Sequence, residues 1–490
     1  MSEAGERVEV EGVSVPTDHL IAGRRVGGAA RFAVRSPIDW HEWKLADVAA
    51  GTTDEVDLAV AAARQAFPAW AALGPGGRRE HLAAFAAAIE QAVPQLAAVE
   101  CVDNGSLLEA MRERVLPRAA ANIRFFADFA CERLAQAPRT LPGGERNRVR
   151  HDPCGVVAVS TPWNAPLMLA TWRVGPALAA GNTVVLKPPE WAPLTCSMLG
   201  DLAVASGLPP GVLNIVHGSG AEAGAPLTGH RGVDRVAFTG SPLTARTVYR
   251  DAAAELTPVS FELGGKSPFL VFADCDLDAA AATAAYQYDN SGQVCLAGTR
   301  LLVEQSVLVP FLERFRARVG EIVVGDPRDP RSTYGPLIHP VALERVNARV
   351  ARAREQGARL LFGGEPLDGL YYPPTLFVDV PPAAEILRTE VFGPVLTLQA
   401  FEGEEQAIAL ANGTDYGLAA TVFTGSESRS ERLGAALVAG TVWVNCFYVR
   451  DLETPFGGAR ESGIGREGGH HSFDFYCDVK TVCERTSAFS

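Results

Sequence analysis

The sequence predicts an α/β protein built on two sheets, and three observations carry that expectation. From residue 155 to 263 short apolar runs alternate with stretches of helical period, a second alternating series opens at residue 267, and no internal repeat or low-complexity linker interrupts either. Such alternation indicates βαβ units, whose crossover helices cover both faces of a mainly parallel sheet. With 490 residues and 47% hydrophobic content, the chain has material for more than one core.

Residues 54–67, 77–96 and 107–136 carry apolar side chains at helical spacing, so the first third is expected to be mainly helical. Residues 139–153 are polar and contain Pro142-Gly143-Gly144, turn chemistry that predicts a hairpin set apart from the helices on either side. Strands follow at 155–160, 183–187, 212–217, 233–239 and 258–263, with helices over 167–180 and 192–206 between the first three. The second series gives strands at 267–273, 300–304, 359–362, 395–401, 418–424 and 440–445. Residues 473–483 alternate weakly and are expected to pair as a strand outside either sheet.

A net charge of −13 with no Lys/Arg run repels phosphate backbones, so nucleic acid is not an expected partner. No stretch approaches the roughly 18 to 20 apolar residues that span a bilayer, and the acidic start lacks the features of a secretory signal. No membrane partner and a cytoplasmic location are expected. The nine cysteines are scattered, without a Cys-x-x-Cys pair, which supports neither a disulfide framework nor a metal site.

A dinucleotide needs close backbone approach at its pyrophosphate and a helix N-terminus aimed at it. Phe238-Thr239-Gly240-Ser241 lies between a strand and a helix, and Gly218-Ser219-Gly220 with Gly224 occupies the same place one unit earlier. Taken singly, each also has the look of an ordinary turn. Lys187-Pro188-Pro189-Glu190 adds a carboxylate at a strand's carboxyl end, suited to accept from an adenosine ribose and to repel a 2′-phosphate. That favours NAD over NADP. Asn290-Ser291-Gly292-Gln293-Val294-Cys295 surrounds a thiol with small polar residues, a poor core environment but a good one for a nucleophile. Glu262-Leu263-Gly264-Gly265-Lys266 ends a strand in a carboxylate that is either a base or a salt-bridge partner of Lys266. Thr161-Pro162-Trp163-Asn164 follows the first strand, where the Asn164 amide serves either an oxyanion or an Asx turn capping the next helix.

Together with Glu390-Val391-Phe392-Gly393-Pro394, Tyr416-Gly417-Leu418-Ala419-Ala420 and Pro455-Phe456-Gly457-Gly458, these motifs resemble those of the aldehyde dehydrogenase superfamily, in its order, over residues 51–482. The resemblance implies a Rossmann-type NAD-binding domain (1–132 and 154–264), a second α/β catalytic domain (265–465) and a small β oligomerisation element (133–153 and 472–490). It implies Cys295 as nucleophile, Glu262 as general base, and Asn164 with the Cys295 backbone N–H as oxyanion hole. Lys187, Glu190, Ser241, Glu390 and Phe392 would hold NAD, with Trp163, Gly220, Phe238, Gly240 and Leu263 along the same cofactor. A base beside the nucleophile implies release of the acid to water rather than transfer to coenzyme A.

Local stretches are most similar to the 2-hydroxymuconic, 2-aminomuconic and 5-carboxymethyl-2-hydroxymuconic semialdehyde dehydrogenases: residues 116–120, 163–167, 290–296, 449–452 and 462–469. Such substrates carry a remote carboxylate, and Arg118 and Arg450 match positions that clamp it. Two departures stand out: Glu453 where relatives commonly have Arg, and Ala459-Arg460 where an aromatic and Lys are usual. The competing readings are a broad or betaine-aldehyde type, in which the arginines have no substrate role, and a catalytically silent crystallin-like protein. The resemblance also implies a homodimer or homotetramer acting on a small-molecule aldehyde.

Overall fold

The structure, a computed structural model, describes residues 5–134 and 137–485. Parts of the expectations that fall on residues 1–4, 135–136 and 486–490 lie outside it.

One sheet has eight strands in the order Gly463–Ile464, Val259–Glu262, Arg235–Thr239, Val156–Ser160, Thr183–Lys187, Leu213–Ile215, His19–Ile21 and Arg24–Val26. The five strands from Val259–Glu262 to Leu213–Ile215 are parallel, and the outer ones join antiparallel. Val156, Val157, Val159, Val184 and Val185 are all buried, which is why these strands read as unbroken β-branched runs. Each such side chain contributes roughly 1.5–3 kcal/mol by leaving water. The helix Pro166–Ala180 covers one face and ends at Gly181, whose φ of 107° closes the last turn. Asn182 then accepts from the backbone N–H of Cys154 and Gly155, which sets where two neighbouring strands begin.

The second sheet runs Arg359–Phe362, Thr375–Val378, Val395–Phe401, Arg300–Glu304, Pro268–Val271, Ala419–Phe423, Thr441–Val444, parallel except for its first pair. The six strands expected here are present. Thr375–Val378 is an addition, hidden in the sequence by the prolines just before it. A third sheet pairs Glu145–Pro153 with Arg139–Thr140 and with Cys477–Arg485.

Four expectations need correction. The first third is α-helical only from Thr53 onward, because six short strands lie between Arg7 and Ala50. Strands of three to seven residues such as His19–Ile21 and Arg24–Val26 are too short to give a clear alternation. The helix over 77–96 is two helices, Gly74–Gln91 and Val93–Asn104, since Pro94 opens the second. The segment 107–136 contains a π turn, Met111–Val115, before the helix Leu116–Glu132. Last, residues 473–476 are helical, within Gly469–Tyr476, and the strand starts at Cys477. Phe473 and Tyr476, three apart, are both buried by that turn.

Candidate active site

Parallel strands bring their carboxyl ends to one rim, where open α/β sheets bind ligands. Ser160 pairs with Lys187 and Phe238, and Thr239 pairs with Glu262, so the four strand ends lie side by side. The loops that follow carry Asn164, Glu190, Ser241 and Gly264, four of the positions singled out from the sequence.

Cys295 reaches this rim on an irregular segment. Asn290, Ser291 and Gly292 have φ of 52°, 56° and 66°, three left-handed residues in succession. Non-glycine residues in that region cost of order 1–3 kcal/mol each, so surrounding bonds must hold them. Ser106 Oγ donates to Asn290 Oδ1 at 3.0 Å, Ser291 Oγ to the Gly335 carbonyl at 2.6 Å, and the Ile338 N–H to Gln293 Oε1 at 2.9 Å. Gly292 has no room for more: a Cβ there would lie 2.3 Å from the Gly393 carbonyl oxygen.

Asn164 Nδ2 donates to the Gln293 carbonyl at 3.0 Å, and the next helix has no side-chain cap. Of its two readings from the sequence, the Asx cap is therefore excluded. A Cβ at Gly265 would lie 2.8 Å from the Cys295 carbonyl oxygen, so the Glu262–Lys266 stretch packs directly on the cysteine segment. Sulfur, carboxylate and amide, far apart in the chain, are gathered at one rim.

Glu262 is 6% exposed, and its Oε2 has no hydrogen-bond partner among the described residues. It is not bridged to Lys266, whose Nζ likewise has none. Burial lifts the Glu262 carboxyl well above the usual carboxylate range; Glu467 adds to this, while Arg173, Arg450 and Arg466 oppose it. The half-buried Cys295 thiol is pushed up to about 12 by burial, with Glu390 and Glu262 contributing and Arg450 opposing.

Glu467 and Arg173 form a fully buried ion pair behind Glu262, and sequence reasoning missed both. Arg173 also donates to Ser260 Oγ at 3.1 Å and Thr239 Oγ1 at 3.0 Å, which ties it to the two strands that end at the rim. A signal existed: Arg173 is the one charged residue in the otherwise apolar helix Pro166–Ala180.

On the cofactor side, the buried Lys187 Nζ donates to the Pro188 and Gly218 carbonyls, each at 2.9 Å, and stands 3.5 Å from Glu190. Ser241 caps the helix Pro242–Ala254, its Oγ accepting from the Thr244 N–H at 3.1 Å. A Cβ on Gly220 would meet nothing within 4 Å, so open space adjoins that backbone; at Gly240 a Cβ would strike the Phe238 ring. The side chains of Phe238 and Leu263 are packed in the core, and their backbones are bonded within the protein, the Phe238 carbonyl accepting from Arg173 and the Leu263 N–H donating to the Ser462 carbonyl. Trp163 meets Phe392 edge to face at 5.3 Å. Glu390 Oε1 accepts from the Gly265 N–H at 3.0 Å, and a Cβ on Gly264 would lie 2.1 Å from its Oε2. Open space at Gly220 and carboxylates at Glu190 and Glu390 are what a dinucleotide's backbone approach and two riboses would need.

Arg450 stacks on Phe456 at 3.6 Å and on Trp172 at 5.2 Å, and makes no hydrogen bond or ion pair among the described residues. Arg118 donates to Asn122 Oδ1 at 2.9 Å and has no carboxylate within ion-pair distance among the described residues. Burial lowers both guanidinium groups, and each feels a neighbour, Asp451 for Arg118 and Arg118 for Arg450. Glu453 turns away from them to an ion pair with Arg133, which absorbs its reversed charge. Arg460, with φ of 53°, donates to the Asn412 carbonyl at 2.8 Å and so braces a loop of the second sheet.

Comparison with known proteins gives the family. The profile of the "Aldehyde dehydrogenase family" matches residues 26–482. The 2-hydroxymuconic semialdehyde dehydrogenase of Pseudomonas sp. (strain CF600) is 41% identical, over 95% of this chain and 98% of that one. The peroxisomal aminoaldehyde dehydrogenase 2 of Pisum sativum is 42% identical over 90% of each. The betaine aldehyde dehydrogenase of Staphylococcus aureus, solved in complex with NAD+, superposes with a TM-score of 0.93 at 33% identity, over 96% of this chain and 95% of that one. Matched nearly end to end in sequence and in fold, the chain belongs to the aldehyde dehydrogenase family.

Proposed function

We propose that the protein oxidises a semialdehyde bearing a remote carboxylate to the dicarboxylic acid, with NAD as the oxidant. The observation that carries the substrate class is the pair Arg118 and Arg450, neither in an ion pair among the described residues, with Arg450 acting on both Arg118 and the buried Glu262. An unpaired, partly desolvated arginine is costly unless an anion completes it. A clamp of two such groups suits a planar carboxylate.

In this reading the Cys295 sulfur attacks the aldehyde carbon as its S–H proton passes to Glu262, which releases it to solvent before the hydrolytic step. The oxyanion is received by the Cys295 backbone N–H and by Asn164, which spends one N–H on Gln293 and keeps the other. A preorganised donor of this kind is worth about 3–4 kcal/mol. NAD, when bound, supplies the hydride acceptor that leaves the carbon at the oxidation level of a thioester. Glu262, with a free Oε2, takes the proton of the water that hydrolyses that thioester. Its raised pKa makes it a base that works at neutral to alkaline pH.

The aminoaldehyde and betaine-aldehyde relatives, at similar identity, motivate a second reading with a cationic substrate. Arg118 and Arg450, neither in an ion pair among the described residues, disfavour a cation, so that reading ranks second. Two sheet-based domains, over 1–132 with 154–264 and over 265–465, are part of the proposal, except that Gly463–Ile464 pairs with the first sheet. So does a homodimer or homotetramer joined through 133–153 and 472–490, because the strand Cys477–Arg485 pairs on one edge only. All nine cysteines are free, which suits a cytoplasmic enzyme.

The test is a panel of muconate-type, amino and neutral aldehydes, assayed with NAD and NADP by the absorbance of the reduced nicotinamide. The expected result is preference for the carboxylate-bearing members with NAD, and no turnover in Cys295→Ala although NAD still binds. Preference for amino aldehydes sinks the substrate class, and turnover in Cys295→Ala sinks the mechanism.

A further inference from the structure

The three segments that carry Arg118, Cys295 and Arg450 meet at Tyr286. From the first, Arg114 sits in the π turn Met111–Val115, four residues before Arg118; it donates to the Tyr286 hydroxyl and holds its guanidinium 5.8 Å from the ring centre. From the third, Phe447 and Tyr448 each bring a ring to 6.2 Å from that of Tyr286, just ahead of Arg450. Tyr286 itself opens the irregular segment that leads to Cys295. Single π turns inside helices occur often at functional positions.

The same Arg114 guanidinium stands 3.5 Å from the carboxylate of Asp289, the residue just before the left-handed run Asn290–Gly292. Asp289 has no other ion-pair partner among the described residues, and its side chain is still 17% exposed. Both Asp289 and the Cys295 thiol act on Tyr448, so the carboxylate stands along the approach to the sulfur. A bare carboxylate there would turn away an anion and draw in a cation. We propose that Arg114 is a specificity-determining residue: by masking the Asp289 carboxylate it keeps the aldehyde's way to Cys295 open to an anionic substrate.

Paired at 3.5 Å, the two charges largely cancel for a third charge farther off; unpaired, either acts in full on a group only partly screened by water. Arg114 is more than half exposed, so the pair matters little to folding. Burial lifts the Asp289 carboxyl above the usual range, while Arg114, Tyr286 and the Asn290 N–H bring it down. The comparison therefore belongs at mildly alkaline pH, where Asp289 keeps its charge without Arg114. The inference rests on Cys295 being the reacting residue, but not on Arg118 and Arg450 holding a carboxylate.

The test measures kcat/KM with NAD, in the full chain, for three aldehydes of similar length: one with a remote carboxylate, one with a remote ammonium group and one neutral. Arg114→Met is expected to move the ratio of ammonium to carboxylate aldehyde about ten-fold toward the ammonium compound. Asp289→Asn, which unmasks Arg114, is expected to move it several-fold the other way, and the double variant to return it near that of the unaltered protein. Arg114→Lys keeps the charge and is expected to hold the ratio within about two-fold. Arg114→Gln is expected to match Arg114→Met, and thermal melts check that all fold. Shifts in the same direction for the two single variants, or equal losses on all three aldehydes, overturn the proposal. Failure of the underlying readings looks different. Turnover retained in Cys295→Ala removes the reaction at Cys295 and this inference with it, whereas Arg118→Ala with equal losses on all three aldehydes removes the clamp and leaves the opposed shifts at Arg114 and Asp289 in place.

Discussion

The Asn164 side-chain amide donates to the Gln293 carbonyl at 3.0 Å, two residues before Cys295, and so joins the loop after Val156–Ser160 to the segment bearing the thiol. Asn290 Nδ2 returns a bond of 3.4 Å to the Asn164 carbonyl. The amide therefore has two tasks, holding the left-handed segment in place and, in the proposed mechanism, receiving the oxyanion.

Asn164→Ala removes both. Turnover is expected to fall about 10²–10³-fold, the usual effect of losing one oxyanion donor. Asn164→Asp is expected to be worse, because it sets a carboxylate oxygen against the Gln293 carbonyl. Steady-state rates and the rate of Cys295 alkylation separate the two tasks: slow turnover with normal alkylation isolates the oxyanion role. Activity within a few-fold of the unaltered protein removes it.

Glu262→Gln is expected to abolish thioester hydrolysis yet raise the melting temperature at alkaline pH. The folded carboxyl titrates above its unfolded value of about 4.3, so between those two points the folded chain holds a proton that the unfolded chain has lost. Stability from this group is complete below the unfolded value and is lost as pH rises through the folded one. The amide has no such loss. The gap in melting temperature between variant and parent should therefore widen from mildly acidic to alkaline pH; a constant gap shows that the carboxyl is not held neutral.

Much of this was legible in local pattern. Buried β-branched runs such as Val156–Ser160 and Thr183–Lys187 mark parallel strands, and their shared polarity alone places Asn164, Lys187 and Glu262 at one rim. What escaped is what depends on partners remote in the chain. Glu467 meets Arg173 across 294 positions, and Glu453 meets Arg133 across 320, so neither pairing leaves a local trace. The short strands His19–Ile21 and Arg24–Val26, at one end of the first sheet, are strands because a sheet was there to extend, not because their own residues demand it. Likewise Phe473 is helical because the turn buries it with Tyr476, a packing term that weak alternation in sequence conceals.

Arg118→Ala and Arg450→Ala are each expected to raise KM for a carboxylate-bearing semialdehyde about ten-fold or more, since a hydrogen bond to a charged group is worth about 1.5–3 kcal/mol. For a neutral aldehyde of similar length the change should be small. Arg450 stacks on Trp172 and Phe456, so its removal also loosens the wall; Arg450→Gln, which keeps much of the packing, isolates the charge. Equal effects on both substrates count against a clamp.

Glu467→Gln tests the buried charges behind the base. Glu467 repels the ionised form of Glu262, while its partner Arg173 favours that form. With the repulsion gone and Arg173 no longer neutralised, the folded pKa of Glu262 must fall. A base acts once it has lost its proton, so kcat/KM rises with pH through that value, and the rising limb should move to lower pH in the variant. Stability should move the other way, because a buried guanidinium left without its carboxylate costs about 3–5 kcal/mol. Arg173→Met added to Glu467→Gln should recover part of the melting temperature and carry the limb back toward higher pH, since the stranded cation is removed as well. A limb that stays in place in both variants, while the melting temperature responds, leaves the ion pair a purely structural role.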